Sequence, residues 1–359
     1  MQLRRLWLTD FRGYREADVA FDPGLTAVLG PNGQGKTNLL EAIGYLATLG
    51  SFRGAPADAL VRVGAERAIV RAEAEREGRE LLLEAEIVAG GRNRALINKQ
   101  PLKRARDLLG AIRVTVFSPD DLTLVKGSPG ERRRYLDDVL VSLSPRYDQM
   151  QTDLDRVLRQ RGALLKQAGG RVSAEVELTL DVFDAKLAAA GEALASARRN
   201  LVASLEPLLA TAYDQVASES ALVRATYAAP WMDEGLAAAL VAARRDDLRR
   251  GVSTVGPHRD ELELSIGGLP ARTHASQGEQ RSLALALRLA AHHVVAEHTE
   301  TTPVLLLDDV FSELDPERSD ALLRSLPPGQ TVLSTAGGLP AGAVPGVVLQ
   351  VRAGAVAPG

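Results

Sequence analysis

Apolar positions along the chain change period several times, and each change predicts an element. Leu3 to Leu8, Val19 to Phe21 and Leu25 to Leu29 are short β-compatible runs. Leu39, Leu40, Ile43 and Leu46 then recur at helical spacing, with Gly50 as the stop. Ala68 to Ala74, Leu81 to Val88 and Ile112 to Phe117 read as further strands. Near Ser128 the texture becomes helical. Ser128, Pro129 and Glu131 supply a capping serine, a proline at the first turn and a glutamate three residues after the cap. A second helix is expected from Ser144-Pro145, with an apolar stripe through Tyr147, Met150, Leu154, Val157, Leu158 and Leu165, breaking at Gly169-Gly170. A long alanine-rich helix covers Val172 to Val216, and another spans Glu234 to Arg250. Mixed patterning returns after Gly251. Leu262 to Ile266 alternates like a strand, Gly278 to Glu297 is helical, Val304 to Leu307 is a buried-type strand, Leu322 to Leu326 ends a helix, and Thr331 to Leu333 is a strand.

This order predicts an α/β body made from both ends of the chain, residues 1–117 and 251–359, with a helical lobe, 118–250, inserted between them. A chain of 359 residues has room for both. Aromatic residues are only 4% of it, so Leu, Val and Ala must fill the core. Cysteine is absent, which excludes disulfides, thiolate metal sites and cysteine nucleophiles. No uncharged run approaches a bilayer span, and no apolar signal core follows Met1, so the expectation is a cytoplasmic protein without membrane attachment. The net charge of −3 means that nucleic-acid binding requires a local basic surface.

The sharpest chemical signal is Gly30-Pro31-Asn32-Gly33-Gln34-Gly35-Lys36-Thr37, which fits G-x-x-x-x-G-K-[ST] at every fixed position. Small residues let successive backbone N–H groups turn inward around phosphates, and the following helix adds its positive N-terminal end. Lys36 supplies a charge for the β- and γ-phosphates, and the Thr37 hydroxyl can ligate Mg²⁺. A glycine turn could match by accident, but an apolar run precedes this one and an amphipathic helix follows.

Val304 to Asp308 is four aliphatics ending in a carboxylate, the form of a Walker B strand, with Asp308 as a metal ligand and Asp309 placed as a general base. Alone, such a run is equally an ordinary strand end. Ser276-Gln277-Gly278-Glu279 precedes a helix upstream of it, and a serine there is also a simple helix cap. In company with the phosphate loop, however, the segment resembles the signature motif of ABC ATPases, which binds the γ-phosphate of ATP held by a second subunit. Ser312 to Asp315 resembles the D-loop of the same ATPases.

Several details separate the chain from transport ATPases. Gln277 replaces a glycine of the signature, Asp309 replaces the usual glutamate, and Ser334-Thr335 stands where a switch histidine is expected. The segment between the motif clusters is too short for a long coiled-coil arm, and no zinc hook exists. With Phe11-Arg-Gly-Tyr14, Phe117 to Leu122, Leu124 to Pro129, Arg132 to Asp137 and Gly256-Pro-His-Arg-Asp260, the chain resembles the RecF family of SMC-like ABC ATPases over nearly its whole length. Glu279 departs from the glutamine expected there.

The resemblance implies an ABC-type P-loop head with an inserted helical lobe. It implies ATP and Mg²⁺ as cofactors, an ATP-bound homodimer, DNA as a ligand, and action with RecR and RecO in bringing RecA to gapped DNA. ATP contacts implied in one subunit are Arg12, Gly30 to Thr37 and Asn38; those implied across the dimer are Ser276, Gln277, Gly278, Glu279 and Asp315. Lys36 and Asp309 are the implied catalytic pair, Thr37 and Asp308 the metal ligands.

For DNA, the candidate is the run Arg92, Arg94, Lys99, Lys103, Arg104 and Arg106, which contains no acid. Gly90-Gly91 marks a turn, so Arg92 and Arg94 are expected on one face of a short strand. Two other clusters, Arg132 to Arg134 and Arg244, Arg245, Arg249 and Arg250, are as readily a solvated surface, and the first could hold Asp137 and Asp138. Few aromatics suggest phosphate contacts with little base stacking.

Overall fold

The structure, a computed structural model, describes residues 1–217 and 219–359, with Glu313 described by its backbone alone. It falls into two compact units. One comprises Met1–Leu122, Leu208–Ala221 and Ser276–Gly359; the other comprises Thr123–Pro207 and Leu222–Ala275.

The first unit carries two six-stranded sheets. Strands β1 (Gln2–Phe11), β2 (Tyr14–Ala20), β4 (Arg67–Arg76), β5 (Arg79–Val88), β6 (Arg94–Ile97) and β7 (Gln100–Pro101) pair antiparallel in the order β2-β1-β4-β5-β6-β7. The second sheet runs β15-β14-β3-β13-β12-β8 and is built from β3 (Leu25–Leu29), β8 (Val114–Phe117), β12 (Val304–Asp308), β13 (Thr331–Thr335), β14 (Val347–Arg352) and β15 (Ala355–Pro358). Its four pairings from β14 to β8 are all parallel, and β15 turns back antiparallel. Every residue of β12 and β13 is buried, which explains the unbroken aliphatic run of Val304 to Leu307.

Helix α1 (Lys36–Thr48) touches strands of both sheets, and its Leu39, Leu40, Ile43 and Leu46 join Leu6, Leu8, Val70 and Leu306 in one apolar core. A helix with apolar residues on more than one face has this fate: it is sandwiched. Helices α8 (Gln277–Thr299) and α9 (Pro316–Ser325) belong to the same unit.

The second unit holds α3 (Pro129–Leu143), α4 (Arg146–Ala168), most of α5 (Ala174–Val216), α6 (Leu236–Arg250) and α7 (Ala271–His274); the short α2 (Leu122–Lys126) leads into it. It is not purely helical. Strands β9 (Val223–Ala228), β10 (Glu261–Ile266) and β11 (Leu269–Pro270) form an antiparallel sheet. That sheet moves the division away from the expected 118–250. Because β9 pairs with β10 from Val223–Ile266 to Ala228–Glu261, residues up to Ala275 go with the lobe, while Leu208–Ala221 goes with the body.

Several arginines of the two other clusters are engaged within this unit. Arg132 is 6% exposed, grips Glu261 through two bonds of 2.7 and 2.9 Å, and donates to the Gly127 carbonyl. Arg133 donates to the Asp260 carbonyl, whereas Asp137 accepts two hydrogen bonds from Arg198. Arg244 binds Asp181 and Asp184, and Arg249 binds Asp246.

Candidate functional site

The segment from Gly30 to Gly35 links β3 to α1 as an open loop, and three of its glycines adopt positive φ: Gly30 at 154°, Gly33 at 77° and Gly35 at 118°. No side chain caps the N-terminus of α1, and its first turn contains no acid. The leading N–H groups of that helix therefore keep their hydrogen-bonding capacity and a positive potential. Pro31, Asn32 and Gly33 are exposed at the rim, while Lys36 is 5% exposed and donates through Nζ to the Pro31 carbonyl across the loop, 3.1 Å away.

Strands β3, β13 and β12 lie side by side, so the loop after β3 meets the C-terminal end of β12. There the Thr37 hydroxyl donates to Asp308 Oδ1 at 2.9 Å, and the Ser334 hydroxyl donates to the same oxygen at 2.7 Å. Burial pushes the Asp308 carboxyl above the ordinary carboxylate range; the two hydroxyls pull it back, the charge of Asp309 raises it, and that of Arg53 lowers it. Next to it, Asp309 sits in the left-handed region at φ 50°, and its N–H donates to both the carbonyl and the hydroxyl of Ser334. Its Oδ1 is buried with no hydrogen-bond partner among the described residues. An acceptor so placed has an unmet need for a donor such as water.

Two residues are engaged in ways their spacing does not reveal. Arg12, also at positive φ, forms a two-bond pair with the buried Glu41 of α1, 2.7 Å for each bond, and donates to the Ala59 carbonyl. A guanidinium has five N–H groups, so two remain. Gln34 points its Oε1 at the Ala353 N–H in the turn between β14 and β15, 2.7 Å away, and its carbonyl accepts from Gly354. The C-terminal hairpin thus braces the loop, and the Gln34 side-chain oxygen is occupied by protein. Asn38 lies in the first turn of α1, half-buried beside Gly13.

The signature-like segment lies at the N-terminus of α8. Ser276 is its N-cap: the Glu279 N–H donates to Ser276 Oγ at 3.3 Å, and Glu279 Oε2 accepts from the Ser276 N–H at 2.7 Å. This is a complete capping box. The Glu279 carboxylate turns back on its own helix, its acidity increased by the hydrogen bonds from Ser276, instead of reaching outward toward a phosphate that would repel it. Ser276 and Gln277 are exposed. Asp315 caps α9 by accepting from the Arg318 N–H, and its second oxygen pairs with the Arg318 guanidinium at 2.9 Å. That guanidinium lies against Gly278, where a Cβ would come 2.7 Å from it. The Glu313 side chain, inside the D-loop-like segment, lies outside the described residues.

The basic run is more neutral than its sequence. Only Arg94 is in β6, whereas Arg92 lies in the loop before it, so the two do not share a strand face. Arg104 pairs with Asp107, one residue beyond the acid-free stretch, at 2.9 Å. Arg92, Arg94 and Lys103 line a groove of about 1250 Å³ together with Glu66, Glu84 and Glu86. Lys99 is exposed at positive φ in the turn between β6 and β7, and Arg106 is exposed in the short helical turn after them.

Tyr14, Glu41, Arg53 and Ser334 are the contributors that sequence reasoning did not assign. The Tyr14 hydroxyl donates to the Gly35 carbonyl at 2.9 Å, under the phosphate loop. Phe11-Arg-Gly-Tyr14 was visible as a motif, but its role needs the pairing that brings β1 and β2 beneath the loop.

Among the described residues no helix is long and apolar enough to cross a membrane. The RecF/RecN/SMC N-terminal domain model matches residues 2–331. The chain is 48% identical over 352 residues to the DNA replication and repair protein RecF of Streptomyces avermitilis, covering 94% of this chain and 93% of that one. It is 47% identical over 353 residues to RecF of Frankia alni, with the same coverage of each. A solved structure of the recombination mediator protein RecF with ATP superposes with a TM-score of 0.91 at 28% identity, covering 99% of this chain and 97% of that one. An SMC head bound to a winged-helix domain of ScpA shares the fold, at a TM-score of 0.58 and 18% identity over 100% of this chain and 97% of that one. With matches at this level over almost its full length, the chain belongs to the RecF family of DNA replication and repair proteins, within the RecF/RecN/SMC ATPase-head superfamily.

Proposed function

We propose that the chain is an ATP-dependent DNA clamp of recombinational repair, which dimerises by sandwiching ATP and hydrolyses it slowly as a switch. The observation that carries the reading is the 2.9 Å bond between Thr37 and Asp308, which joins the phosphate loop to the end of β12 across 271 residues of sequence. The ATP bound by a 28%-identical RecF of the same fold supports it.

In this reading Gly30 to Thr37 and Asn38 bind the phosphates in cis. Lys36 leaves the Pro31 carbonyl for the β- and γ-phosphates, and Arg12 offers its two remaining N–H groups. Thr37 and Asp308 are hard oxygen donors that fit Mg²⁺, which takes few protein ligands and completes its shell with water and phosphate oxygens. Bound there, Mg²⁺ would neutralise charge developing on those oxygens. Asp309 is the group that orients water: its unpartnered Oδ1 accepts a proton from the water attacking the γ-phosphorus, and ADP departs. Aspartate is one methylene shorter than glutamate, and a displacement of about 1 Å can cost roughly 10²-fold in rate. Hydrolysis is accordingly slow.

Ser276, Gln277, Gly278 and Asp315 form the surface that meets the ATP of a second copy. DNA is held in part by Arg92, Arg94, Lys99, Lys103, Arg104 and Arg106, and the clamp acts with RecR and RecO in placing RecA on gapped DNA. Sedimentation with and without ATP, using Ser276→Arg, tests the sandwich. The parent should dimerise only with ATP. The variant should bind ATP as a monomer, with a melting loss of about 1 kcal/mol for its cap. A Ser276→Arg protein that still dimerises would overturn the model.

A further inference from the structure

Helix α4 contains Gly162 well inside its span, where glycine costs about 1 kcal/mol relative to alanine. Packing does not require it, because a Cβ at Gly162 would meet nothing within 4 Å. The missing side chain instead leaves open the floor of a pocket of about 490 Å³, lined among others by Arg159, Gly162, Ala163, Lys166, His258 and Arg259. Asp155 is the only acid in that lining.

The cations are available. Arg159, Lys166 and Arg259 are exposed, and among the described residues Arg159 and Lys166 have no ion-pair partner. Arg259 spends its guanidinium on one backbone carbonyl, that of Ser253, at 3.2 Å. The loop carrying it is locked from beneath. Ser253 Oγ accepts from the fully buried Arg161, which also grips Asp247 and Asp184, and Asp247 in turn accepts from the N–H and hydroxyl of Thr254. His258 Nε2 lies 3.0 Å from the same Ser253 carbonyl. A wall fixed by a buried ion network presents its charge with little ordering cost on binding.

From these features we propose that the pocket between α4 and the 251–259 loop seats backbone phosphates of a nucleic acid. Arg159 and Lys166 stand seven residues apart, about 10.5 Å along the helix at 1.5 Å per residue. With side chains that each reach several ångströms, that separation lets the two cations meet neighbouring phosphates of one strand, with Arg259 on the opposite wall. The proposal rests on the reading that the chain binds DNA, but it adds a contact on the lobe, apart from the basic run of the first unit.

The test is anisotropy of a fluorescent DNA duplex with the full chain and ATP across a salt series, beside a fluorescent free triphosphate as a second probe. Arg159→Ala with Lys166→Ala should lower the slope of log affinity against log salt by roughly 1.8, and affinity by about thirtyfold at 0.15 M salt, if each contacts one phosphate. The charge-preserving pair Arg159→Lys with Lys166→Arg should keep the slope. Gly162→Leu should weaken DNA binding while its melting temperature holds or rises, since it fills the floor and improves the helix. If the parent binds DNA and the double alanine variant keeps its slope, the pocket proposal is overturned and the DNA reading survives. If the parent binds no duplex, that reading fails and the proposal with it. A loss confined to the free triphosphate would assign the pocket to a mononucleotide and overturn the backbone assignment.

Discussion

Gly30 combines two constraints that no other residue satisfies. Its φ is 154°, and a Cβ there would lie 2.3 Å from the carbonyl oxygen of Val351 in β14. Gly30→Ala should therefore lose about 2 kcal/mol or more in stability from strain and clash, together with ATP affinity, because the loop must shift to relieve the contact. Gly33 is the internal control: its φ is also positive, but a Cβ would meet nothing within 4 Å, so Gly33→Asn should fold nearly as well as the parent. Denaturant melts of both variants check this; equal losses would remove β14 as the reason for the glycine. Lys36→Met should fold normally and lose most of its ATP affinity by calorimetry, since in the proposed site its charge meets the phosphates. Such local features were legible from the start. A phosphate loop is a contiguous pattern, and so is the capping box from Ser276 to Glu279, which a serine three residues ahead of a glutamate at a helix start already announces. The brace on Gln34 was not legible, as its partner Ala353 is 319 residues away.

Elements that bury a continuous apolar run or a full helical stripe were predicted within a few residues: β3, β12, α3, α4 and α8 all sit where their patterns place them. Those missed were short and stabilised only by distant neighbours. Strand β9 lies between helices and depends on β10, while β14 and β15 depend on β3 and on each other. Helix α8 carries a second consequence of its burial. His292 is 1% exposed and meets the Thr115 hydroxyl of β8 at 3.0 Å, and burial, with help from His293, lowers its pKa to about 4. An unfolded chain takes up this proton near pH 6.5 and the folded one only near 4, so the unfolded state binds more protons in that window. Stability is thus fully present above about pH 6.5 and falls as pH drops toward 4, by about 3 kcal/mol from this group at 1.36 kcal/mol per pKa unit. His292→Gln should flatten that part of the melting-temperature profile between pH 7 and 5. A variant as acid-sensitive as the parent would place the sensitivity in other groups.

Across the whole molecule, the proposed nucleotide site is made of distant parts, with Thr37 and Asp308 brought together by a sheet and Ser276 displayed on an exposed helix end. Such a site does not need fast chemistry if its product is a dimer that holds DNA, and the residues beside Asp308 bear on how long it holds. Asp309 occupies a left-handed backbone position and keeps a buried oxygen unpaired. Unrelieved costs of this kind persist where function uses them. If hydrolysis is the release timer, Asp309→Asn should keep Mg²⁺–ATP binding and dimerisation, slow hydrolysis by roughly 10²-fold or more, and lengthen residence on DNA in proportion. Asp308→Asn should behave differently. It removes the charge at the oxygen shared by Thr37 and Ser334, so ATP binding should become insensitive to added Mg²⁺ and the dimer should weaken. Proton competition gives a further distinction: burial raises the Asp308 pKa, so in the parent the Mg²⁺ dependence should fade on acidification at a higher pH than an ordinary aspartate would give. The decisive measurement is DNA dissociation after excess competitor, with ATP present, for the parent and both variants. An Asp309→Asn protein that no longer hydrolyses ATP yet leaves DNA as fast as the parent would refute the timer while leaving the nucleotide site intact.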